Sequence, residues 1–158
     1  MNTSPLKTYA PEARRAFIAA VTAQAARYGI TAAGNAPATV QGDVLLVGGQ
    51  AFPKAASAPR QRLLERVQAQ GFAGAMEAVA YTWFNRFVAI RYMELHGYLD
   101  HGWRVLSGGA GGEGRGARPE ILDHATEVDL PGLDPETVVE LKLDGTRDEE
   151  LYRLLLKA

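Results

Sequence analysis

The sequence predicts a mainly α-helical fold: a helical bundle around a buried central helix, with a small two-stranded β element and a glycine-rich loop. Three observations carry that expectation. The stretch 72–99, FAGAMEAVAYTWFNRFVAIRYMELHGYL, is apolar around most of its circumference when read at helical spacing. Segments on either side repeat the helical period between proline starts and glycine stops. Only one short run, Asp43–Val47, has β character, and a single strand is not stable alone.

Taken in order, the first helix is expected from Pro11. Pro11 suits the first helical position, Glu12 complements the positive end of the dipole, and Thr8–Ala10 provide the entry. Phe17, Ile18, Val21, Ala25 and Tyr28 recur at helical spacing up to the stop at Gly29. Residues 30–55 read as irregular. Within them Asp43–Val47, ended by Gly48-Gly49, is expected either to pair with Trp103–Leu106 as a ribbon or to lie extended over helices. Pro53 and Pro59 frame a second helix, Arg60–Gln70, with Leu63, Leu64 and Val67 inward, Arg60, Arg62 and Arg66 outward, and Gly71 closing it.

The central helix runs from about residue 73 to 96, capped by Gly97. Met76, Val79, Ala80, Trp83, Phe84, Phe87, Ile90 and Leu95 cover more than half of its circumference, so near-complete burial is expected. Residues 108–118, GGAGGEGRGAR, have the composition of a flexible linker. A short helix at 119–126 should follow. After it come a helix capped by Asp134 with Pro135 at its first position, a turn at Asp144-Gly145, and a last helix from about Arg147. That last helix ends on Leu154-Leu155-Leu156, a leucine-rich face expected to pack on further protein. The expected organisation is a helical core at 1–107 containing the central helix 73–96, a linker at 108–118, and a helical segment at 119–158 continuing into a larger domain.

The chain has 158 residues and no cysteine, which excludes disulfides and thiolate metal sites. No secretory leader is recognisable and no run of about 18 uncharged apolar residues occurs, so a cytoplasmic protein without a membrane partner is expected. The net charge of −1 conceals an asymmetry. Residues 1–107 hold 11 Lys/Arg against 6 Asp/Glu, and residues 108–158 hold 6 against 12. The basic part makes DNA a candidate partner, with Arg14, Arg15, Arg60, Arg62 and Arg66 as candidate phosphate contacts; solvated helix faces are the plainer reading of the same arginines.

Other motifs are weak. Gly109–Gly114 matches GxGxxG, but Gly116 and Pro119 follow where a phosphate-binding helix would have to start. The three histidines, His96, His101 and His124, have no metal-ligand spacing, so no metal is expected. Arg91 and Glu94 lie three apart on the apolar helix, with Arg86 and Asn85 earlier. These four read as a structural ion and hydrogen-bond network, since a buried charge must be paired. At helical spacing Trp83, Phe84 and Phe87 read as core rather than as base-stacking groups.

Four pieces of the chain carry a resemblance: LKTYAPEARRAFIAAV, GDVLLVGGQAFP, AYTWFNRFVAIRYMELHGYLDHGWRVLS and PEILDHATEVDLPGLDPETVVELKLDGTRDEELYRLLL. The signature NRF-x-x-IRYMELHGYL is the most specific of them. Together they resemble the N-terminal region of the PglX family, the adenine-specific DNA methyltransferases of BREX phage-defence systems. The resemblance implies a parent enzyme that moves a methyl group from S-adenosylmethionine to adenine N6. Its chemistry rests on a glycine-rich cofactor motif after a strand and an Asn-Pro-Pro-Tyr motif that holds the flipped base. This chain carries neither: its asparagines are Asn2, Asn35 and Asn85, and none precedes a proline. No catalytic, cofactor-binding or metal residue is therefore carried over. The implied role is an N-terminal module that scaffolds the catalytic core, itself binding no cofactor. Its implied partners are the rest of the methyltransferase chain, DNA, and other defence-system or phage proteins. A protein-interaction module that recruits defence components without touching DNA is the alternative.

Overall fold

A computed structural model describes residues 4–108 and 118–158. The expected glycine-rich linker therefore lies, apart from Gly108 and Arg118, outside the described residues. The chain divides into two compact units, one reaching Asn85 and the other running from Arg86 to Ala158. Its mainly helical class with small antiparallel sheets agrees with the expectation.

The first unit opens with α1, Ser4–Arg27. It starts about two turns before the expected point and carries Pro11 in its interior. A proline there forfeits one hydrogen bond to the preceding turn without ending the helix. Gly29 does end it, at φ 68, and packs so closely that an added Cβ would stand 2.6 Å from Ala36 and Val47 side chains. Both requirements are met only by glycine.

The region expected to be irregular is instead built of short strands. β1 (Ile30–Thr31) pairs with β2 (Gly34–Asn35), and β3 (Ala38–Gln41), β4 (Val44–Val47) and β5 (Gln50–Pro53) form an antiparallel meander. The expected pairing of residues 43–47 with Trp103–Leu106 is not found: β4 is flanked by β3 and β5. The reason is local. Gln41 pairs with Val44 around a two-residue turn with Gly42 at φ 57, and Val47 pairs with Gln50 around Gly48-Gly49 at φ 54 and 84. Two-residue turns at positive φ match the twist of adjacent strands, so each hairpin closes on its neighbour. Leu45 and Val47 are buried on one side of β4.

A 3-10 turn at Lys54–Ala56 leads into α2, Ser57–His96. Gly71 is non-helical at φ 77 and ψ 161, so the element is two helical segments meeting at a kink, the break expected there. Ala25, Ile30, Ala75 and Met76 form the buried core of this unit, with Val21, Leu63, Leu64, Val67 and Phe72 packed against it.

The second unit takes over α2 at Arg86. Gly97, at φ 66, ends the helix with Tyr98 N donating to Met93 O at 2.9 Å and Gly97 N to Glu94 O at 3.4 Å, the paired bonds of a Schellman cap. The expected helix at 119–126 resolves into two 3-10 turns, Glu120–Leu122 and Ala125–Glu127. α3, Pro135–Asp144, has the expected Asp134 cap, which accepts from Thr137 N at 3.1 Å, and Gly145 at its far end in the left-handed region. α4, Asp148–Leu155, buries Leu151 and Leu155. Its leucine-rich end is not an open face: Leu154 and Leu156 pack on the unit's own core of Val105, Ile121, Leu122, Ala125, Val128, Val138, Leu141, Leu151 and Leu155.

The expected near-complete burial of the central helix is overturned. Between residues 73 and 96 only Ala75, Met76 and Ala80 are buried, while Tyr81, Val88, Tyr92 and Leu95 are exposed. Breadth of apolar surface on a helix records how many faces are apolar, not how many are covered within this chain.

Candidate functional site

The candidate arginines separate into three kinds. Arg60 is buried: its Nε donates to Tyr28 O at 2.9 Å and its Nη2 to Ala36 O at 2.6 Å. The expectation that it points outward is thereby corrected. Two carbonyls at the end of α1 and the approach to β3 would otherwise lack partners, and a planar guanidinium reaches both from α2. Arg14 forms an ion pair with Glu77, so it ties α1 to α2 within the first unit. Arg15, Arg62 and Arg66 are exposed. Arg62 and Arg66 are four apart on α2 and so share one face.

Beneath the Arg14–Glu77 pair lies an apolar groove of about 430 Å³ whose walls include Phe17, Ile18, Ala78 and Phe84. Phe17 and Phe84 meet edge to face, centroids 5.6 Å apart at 88°. Trp83, Phe84 and Phe87, expected to be core, are half-buried and stand outside both buried clusters.

In the second unit Arg91 and Glu94 are brought together at 3.3 Å. Glu94 is the centre of the cluster, its side chain only 1% exposed. Its Oε1 accepts from Ser107 Oγ at 2.7 Å and its Oε2 from Leu106 N at 3.2 Å, while Arg91 Nη1 also donates to Ser107 Oγ at 2.9 Å. Asn85 and Arg86 are exposed. The members that sequence spacing could not supply are Ser107 and the Leu106 amide, 13 and 12 residues beyond the carboxylate.

The cluster is one part of a longer arrangement along 103–107. Arg104 N donates to Glu120 Oε2 at 2.9 Å and Arg104 O accepts from Ile121 N at 2.9 Å. Tyr152 Oη donates to Val105 O at 2.9 Å. Side chains of Glu94, Glu120 and Tyr152, with the Glu120 and Ile121 amides, thus take the place of a partner strand in satisfying this extended segment. Burial, reinforced by the Glu94 charge, raises the Tyr152 pKa, keeping the phenol protonated as donor. His101 Nδ1 accepts from Trp103 N at 3.1 Å, and burial, opposed by Asp100, lowers its pKa, favouring the neutral ring that this bond requires. Trp103 stacks flat on His124, centroids 3.5 Å apart at 4°, and His124 contacts Glu127 at 3.1 Å. His96 contacts both Tyr92 and Tyr98, whose rings also meet each other.

Among the described residues no group of three or more His, Asp or Glu stands close enough to hold a metal ion, and no helix is long and apolar enough to cross a membrane. The polar contacts of Arg60, Glu94, Glu120 and Tyr152 fasten side chain to backbone, and the Arg14–Glu77 pair fastens helix to helix. The residues around them form a mainly helical fold with small antiparallel sheets.

Comparison with known proteins shows what the chain is related to. No family model matches the chain. It is 46% identical to the adenine-specific methyltransferase BrxX of Escherichia coli O9:H4 (strain HS) across 99% of its own length, and 33% identical to the adenine-specific methyltransferase PglX of Lacticaseibacillus casei (strain Zhang) across 91%. Its homologues are thus adenine-specific methyltransferases, and the resemblance read from the NRF-x-x-IRYMELHGYL signature is real. The chain spans 13% of the length of each of these relatives.

Proposed function

We propose that this chain is the N-terminal helical module of an S-adenosylmethionine-dependent N6-adenine DNA methyltransferase of a BREX phage-defence system, acting in the cytoplasm. It scaffolds the catalytic core and touches DNA through the exposed Arg15, Arg62 and Arg66. The observation that carries the reading is 46% identity sustained across 99% of the chain to a methyltransferase about eight times its length. An alignment that covers 99% of the chain supports retention of the whole module rather than of one motif. Cofactor and flipped base are left to polypeptide outside these residues.

The direct test supplies the chain with radiolabelled S-adenosylmethionine and DNA, alone and together with the Escherichia coli BrxX from which the matching segment has been deleted. Methyl transfer is expected only in the mixture. Transfer by the chain alone would refute the assignment of chemistry elsewhere.

A second reading, a protein-interaction module recruiting other defence components or met by phage proteins, is favoured by the fate of two arginines. Arg60 is consumed internally and Arg14 is paired, which leaves three of the five for phosphate. A salt-titrated DNA-binding measurement separates the two. A log–log slope near −2 to −3, lost on Arg62→Glu/Arg66→Glu, supports DNA contact at about −0.9 per phosphate. No affinity at low salt supports protein partners.

A further inference from the structure

We propose that the outer face of α2 in the second unit, made by Val88, Tyr92 and Leu95 with Tyr98 beside it, is the surface on which the remaining polypeptide of the methyltransferase seats. The inference rests on the reading of the chain as a methyltransferase module and adds to it the face that docks. Positions 88, 92 and 95 follow the i, i+4, i+7 spacing of a single helix stripe. All four side chains are between 53% and 66% exposed. The fold of the unit does not need them. Ile90 already packs on the aliphatic core, and Glu94 is already buried against Ser107 and the Leu106 amide. One apolar stripe suffices for a helix that covers one core, so a second stripe signals a second contact.

The patch is also pre-organised. The Tyr92 ring lies 4.3 Å from His96 and 6.1 Å from Tyr98, and His96 stacks on Tyr98 at 5.6 Å. Rings held against one another lose little freedom on docking, and tyrosine is a residue that protein interfaces favour at their centres. The chemistry points to a protein rather than to phosphate. Arg91, the cation adjoining Tyr92 in sequence, is directed to Glu94 and Ser107, leaving the stripe itself apolar and aromatic.

The occupant follows from length. The relatives align with 91–99% of this chain yet are matched over only 13% of their own length. In them the other 87% is covalently joined to this module, at an effective concentration about millimolar or above, far beyond that of any free partner.

The test uses this chain and the Escherichia coli BrxX lacking the matching segment, expressed as separate polypeptides. Co-purification, affinity and photocross-linking from p-benzoylphenylalanine placed at Tyr92 or at Leu143, an exposed residue of α3, are measured. The wild-type chain is expected to bind and to cross-link to the truncated enzyme from position 92 but not from 143. Tyr92→Asp/Leu95→Asp should weaken binding by about 100-fold or more while circular dichroism and melting stay unchanged. Leu143→Asp should bind as wild type. Wild-type binding that survives the double substitution overturns the docking face and leaves the module reading standing. Absence of wild-type binding overturns both. Cross-links only to a second copy of the chain assign the face to self-association and overturn the proposal.

Discussion

The two units reach stability by different means, and the difference shows in what lies at each centre. In the first, the buried core is small (Ala25, Ile30, Ala75 and Met76), and the gap is bridged by polar and steric fasteners: the Arg60 guanidinium on two carbonyls and the close approach at Gly29. In the second, aliphatic volume dominates. Leu151, Leu141, Ile121 and Val138 are almost fully buried in a core assembled from two short helices, two 3-10 turns and the extended segment 103–107. The first unit depends on directional contacts that fail one at a time. The second depends on volume that fails in proportion to the atoms removed.

That contrast is most exposed at Leu151. Leu151→Ala removes a fully buried side chain and should cost about 2–5 kcal/mol, read as a shift in the denaturant midpoint. Arg60→Met keeps length and loses both donors, leaving the Tyr28 and Ala36 carbonyls unmet; a loss of about 1–3 kcal/mol is expected. A larger loss from Arg60→Met than from Leu151→Ala would reverse the contrast. Gly29→Ala should fall in a similar range, about 1–3 kcal/mol, because it combines a left-handed φ with overlap against Ala36 and Val47.

Two pH dependences sharpen the picture of the second unit. The His101 pKa is lowered in the fold, so its contribution is present above the unfolded value, about 6.5, and is lost as pH falls through the folded value. The Tyr152 pKa is raised, so its contribution is full below about 10 and disappears as pH climbs through the folded value. Melting temperature against pH should therefore fall at both extremes. His101→Gln should flatten the acid limb and Tyr152→Phe the alkaline limb; an unchanged profile in either variant would remove that residue from the account. The smallest effect belongs to Arg14→Ala. Both members of its ion pair are more than half exposed, so a loss of about 0–1 kcal/mol, vanishing in high salt, is expected.

Much of the helical architecture was legible because its signals are local. Gly29, Gly71 and Gly97 mark helix ends or breaks, and Asp134 with Pro135 marks a start, through backbone conformations that depend on a residue and its immediate neighbours. The meander was also written locally, in Gly42-Asp43 and Gly48-Gly49, two-residue turns between β-prone runs. Reading 30–55 as irregular passed over that signal because the flanking strands are only four residues long. The Arg91–Glu94 pair was visible as an i, i+3 spacing on one helix. Ser107 and the Leu106 amide, which complete the cluster, were not visible, because their position depends on how the chain returns after Gly97.

What the sequence determined alone is therefore the helical class, the glycines that end or break α1 and α2, the Asp134-Pro135 start of α3 and the kinship with adenine-specific methyltransferases, each stored in short-range pattern or in identity along the chain. Only the tertiary structure decided that Arg60 turns inward, that α2 is covered on part of its surface, and that 103–107 is held by Glu94, Glu120 and Tyr152 instead of a strand. The physical reason is common to all three. Whether an arginine is solvated, an apolar face is covered or a carbonyl is satisfied depends on which distant groups arrive beside it, and no local spacing records that arrival.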